Sequence, residues 1–225
     1  MNELAVVTGA GRGIGRAIAL SFAARGLDVA LLARDRTALE EVAAACTALG
    51  VEATAHPCDV ANVAAVHAEA RRIARTPRVV VNNAGIVHRA PLVETTVEQW
   101  RAVLAVNLDA TFYVTKAFLE SMLAAKTGRI VNVSSISATF GTARHVSYCA
   151  SKWGVVGFTK ALAEELRETG LQTLSVLPGS TDTDMLKGSG FPPQMQPEDI
   201  AKVVLYAALD APAAMNGASL DVFGP

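Results

Sequence analysis

"LAVVTGAGRGIG", residues 4–15, sets an apolar run directly against a glycine-rich turn that opens an apolar helical stretch. A run without polar alternation reads as a strand buried on both faces. Glycine at 9, 13 and 15 permits a tight turn, close backbone approach to an anionic ligand and close packing of helix on strand. The helix start supplies free N–H groups to an anion. The spacing T-G-x3-G-x-G departs from G-x-G-x-x-G, so the position of the turn between strand and helix carries the reading: a dinucleotide-binding β-α unit, with Thr8, Gly9, Arg12, Gly13, Ile14 and Gly15 as its contact residues.

Working outward, the same alternation runs to the end of the chain. Strands are expected at 4–8, 28–33, 52–56, 78–82, 129–134, 171–177 and 218–222, and helices near 14–25, 36–49, 61–75, 97–126, 146–168 and 197–209. Strict β-α alternation demands a parallel sheet with helices on both faces. The expected fold is therefore α/β, a doubly wound seven-stranded parallel sheet in one domain spanning 1–225. Residues 184–197, "DMLKGSGFPPQMQP", contain Gly188, Gly190, Pro192 and Pro193, which exclude a long helix. They are expected to form a short loop over the carboxyl ends of the strands, where such sheets bind ligands.

Composition narrows the function classes. The formal net charge is -1 and the chain is 51% apolar, so no basic surface points to nucleic acid or an anionic membrane. No signal-peptide pattern is evident, and no apolar run approaches the ~20 residues of a membrane span. A cytoplasmic protein with a small-molecule partner is expected. Cys46, Cys58 and Cys149 lack metal-ligand spacing and are expected to be buried free thiols, with no metal.

The end of the second strand bears on the choice of dinucleotide. A carboxylate there would accept from the ribose 2′-OH of NAD. Here Ala33 is followed by Arg34, Asp35 and Arg36, with Arg12 in the turn itself. Arg12 and Arg34 could grip a 2′-phosphate, which favours NADP(H) over NAD(H). Asp35 is the competing carboxylate, and Arg36 is expected to partner it.

In "SYCASKWG" (147–154), Tyr148 and Lys152 lie one helical turn apart. A free phenol has a pKa near ~10, and a neighbouring cation favours its ionised form. Lys152 is thus expected to lower the pKa of Tyr148 and make it a general acid/base. Spacing alone does not separate this from a solvated helix face.

Context separates them. With "TGAGRGIG", "CDV" (58–60), "NNAG" (82–85), Asn107, "VSS" (133–135), "YCASK" (148–152) and "PGSTDT" (178–183) in order, the whole chain resembles the short-chain dehydrogenase/reductase family, a Rossmann-type fold, and especially its bacterial 3-oxoacyl-carrier-protein reductases. The resemblance implies an oxidoreductase that moves hydride between nicotinamide and a carbonyl or secondary alcohol. It implies a catalytic tetrad of Asn107, Ser135, Tyr148 and Lys152, with Asn107 holding a water that relays protons from Lys152. It places Asp59 and Val60 at the adenine, Asn83, Ala84 and Gly85 at the adenosine ribose, and Pro178, Gly179, Thr181 and Thr183 at the nicotinamide end, where Tyr148 and Lys152 also meet the cofactor. Ser135, thirteen residues before Tyr148, is chosen over Ser134, which is expected on the other strand face. A homodimer or homotetramer through helices 97–126 and 146–168 is implied.

Departures are Ala138 for a usual glycine, Leu174 for a usual asparagine, a short "RTPR" before the fourth strand, and the brief loop after Thr183. That loop predicts an open, shallow substrate pocket. His88 and His145 flank the site motifs but stay outside the catalytic set. The substrate is a ketone or a 3-oxoacyl compound, free or carrier-bound. A nucleotide sensor without turnover is the remaining alternative.

Overall fold

The computed structural model describes residues 2–225. Its core is a seven-stranded parallel sheet in the order β3-β2-β1-β4-β5-β6-β7. The strands are β1 (Leu4–Thr8), β2 (Asp28–Ala33), β3 (Ala53–Pro57), β4 (Val79–Asn82), β5 (Gly128–Val133), β6 (Leu171–Pro178) and β7 (Ser219–Val222). The helices are α1 (Gly13–Ala24), α2 (Arg36–Thr47), α3 (Val63–Ile73), α4 (Val97–Leu104), α5 (Ala110–Ala125), α6 (Val146–Glu165) and α7 (Pro197–Leu205).

The period of two along each strand divides the core. Ala5, Val7, Val29, Leu31 and Val131 pack with α1, α2 and α7, whereas Leu4, Val6, Ala30, Leu32 and Ile130 pack with α3, α5 and α6. Both faces of β1 are buried, which is why its sequence is apolar throughout. Strand order reverses between β1 and β4, and at that point the loops after the two strands part to leave a crevice at their carboxyl ends.

The expected element boundaries hold within a few residues, with one informative exception. The helix expected over 97–126 is broken by a π turn, Ala105–Asp109, between α4 and α5. An inserted residue of this kind rotates the remainder of the helix about its axis and often marks a functional site. Here it carries Asn107. The joined stretch Val97–Ala125 is 29 residues long, with mean hydropathy 1.3 over its most apolar part, so by length and composition it could cross a bilayer, contrary to the expectation from sequence. In the fold, Val114, Phe118 and Met122 of this stretch are buried in the core facing α3 and α6.

Cys46 and Cys58 are buried, and burial pushes both thiols up to about 11. Cys149 is only partly buried, contrary to expectation. The buried stripe of α6 runs through Ser147, Ser151, Lys152, Val155, Thr159 and Leu162, and Cys149 lies off it.

Candidate active site

The crevice is a cleft of about 920 Å³. Every residue expected to contact cofactor lines it except Thr8, and of the expected catalytic residues only Asn107 does not.

At one end, Thr8 ties β1 to β4 from below. Its Oγ1 accepts from the N–H groups of Asn83 and Ala84, each at 3.0 Å, and Asn83 Nδ2 donates to the Thr8 carbonyl at 2.9 Å. Thr8 is thus buried behind the site. The turn is packed on this support so tightly that a Cβ at Gly15 would lie 2.1 Å from the Gly9 carbonyl oxygen. Gly9 itself has φ +64, the left-handed region that favours glycine.

Arg12 precedes α1 but makes no side-chain cap, and the first turn of α1 holds no acidic residue. The helix start therefore keeps its N–H donors and positive end toward the cleft. Asp59 accepts from the Ala61 N–H at 3.0 Å, shaping the turn that carries Val60 to the cleft wall. Across the cleft, Thr181 and Thr183 hold a compact turn after β6 through bonds to the carbonyls of Gly179 (3.2 Å) and Thr181 (3.3 Å). The Thr183 methyl would lie 3.3 Å from a Cβ at Gly13, so both walls meet over the anion seat. This donor set fits a nicotinamide dinucleotide.

The residues after β2 differ from expectation. Arg34 and Asp35 both line the cleft, but Arg36 pairs with Glu40 at 3.6 Å rather than with Asp35. Asp35 is the N-cap of α2 and accepts from the Ala38 N–H at 3.1 Å. Capping satisfies an otherwise free helix donor and turns the carboxylate toward its own helix. Arg12 reaches Asp184 at 3.3 Å, with both side chains exposed.

At the other end, Lys152 Nζ is buried and donates to the Val133 carbonyl at 2.9 Å. Burial pushes its pKa down to about 8. The Tyr148 phenol is shifted up from its ordinary value, chiefly by burial, with Cys149 adding to the rise and the Ser135 hydroxyl and Arg89 pulling it back. The expectation that Lys152 makes the phenol more acidic does not hold in this geometry. Withdrawal from water outweighs charge here, and the same withdrawal weakens the ammonium that was to supply the charge.

Ser134 and Ser135 both line the cleft, because β5 has ended at Val133 and strand alternation no longer separates them. What distinguishes them is bonding. Ser134 Oγ donates to the Lys152 carbonyl at 2.8 Å, whereas Ser135 Oγ accepts from the Ser137 N–H at 3.1 Å and keeps its own proton for another acceptor.

Asn107 stands behind the site. Its Oδ1 accepts from the Ile86 N–H at 2.8 Å, and its Nδ2 donates to the Ile86 carbonyl and to Ser151 Oγ, each at 3.0 Å. Ser151 Oγ in turn donates to the Tyr148 carbonyl at 2.7 Å. The amide that was expected to hold a relay water is therefore engaged with protein at both ends. It clamps the loop after β4 against α6, and a Cβ at Gly85 in that loop would lie 3.6 Å from Lys152 Nζ.

Sequence reasoning set the loop after Thr183 and His145 beside the site but missed Arg89 and Phe140 in its outer wall. Arg89, His145, Phe140, Met185, Leu186 and Phe191 also line the cleft, so the short loop after Thr183 contributes side chains to its wall. The loop is anchored by a bridge between Thr181 and Met195. His88 does not line the cleft, and its Nε2 is buried without a hydrogen-bond partner among the described residues. The one sequence signal for Arg89 was its place four residues after the "NNAG" glycine.

Residues 3–191 match the family model described as short chain dehydrogenase. The chain is 38% identical to a 3-oxoacyl-[acyl-carrier-protein] reductase of Synechocystis sp., covering 99% of this chain and 96% of that protein. A Beutenbergia cavernae structure described as an NAD(P) dependent gluconate 5-dehydrogenase, with NADP bound at low occupancy, is 36% identical over 99% of this chain and 95% of its own, with a TM-score of 0.93. A Brucella melitensis 3-oxoacyl-[acyl-carrier protein] reductase with bound NAD is 30% identical over 99% of this chain and 90% of its own, with a TM-score of 0.91.

Proposed function

Since the chain belongs to the short-chain dehydrogenase family, and is thereby an oxidoreductase acting on CH–OH groups with NAD(P), we propose that it is an NADP(H)-dependent carbonyl reductase with Tyr148 as general acid. The observation that carries this reading is the convergence of Ser135, Tyr148 and Lys152 on the same cleft as the uncapped start of α1.

The dinucleotide supplies the hydride when bound. Gly13, Ile14 and Gly15 would meet its pyrophosphate with backbone N–H groups, and Pro178 to Thr183 would hold its nicotinamide end. Ser135 donates a hydrogen bond to the substrate oxygen and polarises the carbonyl. Tyr148 gives that oxygen its proton. A phenol shifted upward is fully protonated at neutral pH, the form that reduction requires. Lys152 is held by the Val133 carbonyl beside the loop carrying Gly85, and its ammonium offsets negative charge that develops on Tyr148 as the proton leaves. Asn107 is a positioning residue, setting the distance between that loop and α6.

The NADP(H) preference is supported by Arg34 at the cleft rim and by the capping role of Asp35, which turns the competing carboxylate back to α2. Following NADPH and NADH oxidation against a panel of carbonyl compounds tests the whole reading. Turnover with NADPH that Tyr148→Phe abolishes is expected. Equal turnover with Tyr148→Phe would refute Tyr148 as the proton donor, whereas NADPH binding with no turnover on any compound of the panel would favour a nucleotide sensor. Reduction of a 3-oxoacyl thioester on its carrier protein is the second reading, supported by the likeness to the Synechocystis reductase. We also propose a homo-oligomer, because Phe112 and Trp153 leave aromatic surface exposed on α5 and α6. A monomer in sedimentation at micromolar concentration would exclude it.

A further inference from the structure

Beyond Tyr148 and Lys152, a further cation in the cleft wall, Arg89, has only neutral partners. Arg89 leaves the loop after β4, and its Nε donates to His145 Nε2 at 3.1 Å. Its Nη2 donates to the Met185 carbonyl at 2.5 Å. His145 Nδ1 lies 2.8 Å from the Ala143 carbonyl, so that nitrogen carries the proton, Nε2 offers its lone pair, and the ring is neutral.

No carboxylate lies within 4.0 Å of this guanidinium among the described residues. Asp184, on the same loop as Met185, is engaged by Arg12 at 3.3 Å and Lys187 at 2.6 Å. A partly buried charge left with neutral partners carries an uncompensated desolvation cost, which an incoming anion removes. The charge is also held in place. Three separate segments, the loop after β4, the residues before α6 and the loop after β6, fix the guanidinium, while Nη1 takes no protein partner among the described residues. Nη1 and the remaining hydrogen of Nη2 are thus left as donors for the oxygens of a carboxylate. The His145 ring that orients Arg89 meets the Tyr148 ring edge-on, with centroids 6.3 Å apart. Arg89 and Tyr148 are thus linked through a single side chain, His145.

We propose that Arg89, oriented by His145 and the Met185 carbonyl, binds a carboxylate on the substrate, so that the reacting pair is an oxo acid and the corresponding hydroxy acid. Arg89 is on this account the residue that determines specificity. The inference rests on the reading of Tyr148 as proton donor and adds the substrate class to it.

The test uses pyruvate, acetoacetate and 4-oxopentanoate, each paired with its amide, so that the carboxylate is removed while the ketone and its spacing stay. The full-length enzyme with NADPH should favour one or more acids over their amides. Arg89→Gln should cut kcat/KM for the favoured acid on the order of 10- to 100-fold more than for its amide, mainly through KM, as loss of a charge-assisted bond implies. Arg89→Lys should restore part of the preference. A merely structural role for Arg89 would depress acid and amide alike, and that equal loss would overturn the inference, as would wild-type preference for the amides. Either result leaves the reductase reading standing. If neither series is reduced, the reductase reading is judged on the wider carbonyl panel and the carrier-bound thioester, and the inference on binding alone. Calorimetry with 4-hydroxypentanoate then decides the inference, which survives only if the wild-type protein binds it and Arg89→Gln does not.

Discussion

Where the glycine turn meets β4, a single added carbon at Gly15 would lie 2.1 Å from backbone, whereas at Gly188 and Gly190, in the loop over the other end of the cleft, it would meet nothing within 4 Å. The nucleotide end is made of backbone packed on backbone, braced by Thr8 and Asn83, and its shape comes from contacts that tolerate no substitution. The substrate end is made of side chains on three segments, joined by single hydrogen bonds to Arg89 and by exposed ion pairs such as Arg12 with Asp184. The lesson is that binding of a common cofactor can be built rigidly, while the wall that selects a substrate is held by contacts that can change one at a time.

The sharpest break is Tyr148→Phe, which removes the proposed proton donor and leaves the cavity. It is expected to lower kcat between about 10²- and 10⁴-fold with little change in cofactor affinity, read by steady-state kinetics and by NADPH fluorescence titration. A matching loss of NADPH binding would mean that the two ends are not separable.

Gly15→Ala attacks the rigid end. It should cost about 3 kcal/mol or more and abolish cofactor binding, because the clash is with backbone that cannot move aside. Gly188→Ala, at φ +73 in open space, should cost only about 1–2 kcal/mol from backbone strain. Denaturant unfolding of both variants measures the contrast, and similar losses would erase it.

Lys152 offers a test through pH. Its pKa falls from 10.5 to about 8 on folding, so between those values the unfolded chain holds more protons than the native one. Native stability therefore rises with pH across that interval, and the penalty for the buried ammonium is fully present below about 8. Relative to Lys152→Met, the wild type should gain on the order of 2 kcal/mol between pH 8 and 10.5. A flat difference between the two stability curves would show that Lys152 stays hydrated.

The smallest effect concerns the link between the ends. Asp184→Asn frees Arg12 for the cofactor. Because both partners are exposed, stability should hardly change, and KM for NADPH should fall by roughly two- to fivefold. A rise in KM would show that the pair closes the loop over bound cofactor instead.

Much of this was legible from the chain. The strand and helix order could be read because parallel strands buried on both faces leave long apolar runs, and the residues of "TGAGRGIG" fall where a β-α turn must be. Arg36 was misassigned because an adjacent charge looks like a partner, whereas an N-cap aspartate is drawn to backbone and an arginine to the residue one helical turn on. Cys149 was misplaced because composition does not say which stripe of α6 faces the sheet. The π turn at Asn107 was invisible because one extra residue in a helix leaves the hydrophobic period almost intact.

By itself the sequence determined the sheet, the anion seat and the set of side chains that could do the chemistry, because those depend on local periodicity and on glycine's backbone freedom. Only the tertiary structure decided the surroundings of "SYCASKWG". The shifts of Tyr148 and Lys152 come from burial under segments distant in sequence, and Asn107 holds Ile86, 21 residues away, rather than the cleft. Arg89 finds its orienting histidine 56 residues on. Desolvation and long-range hydrogen bonds are properties of the assembled fold, so no spacing in the chain records them.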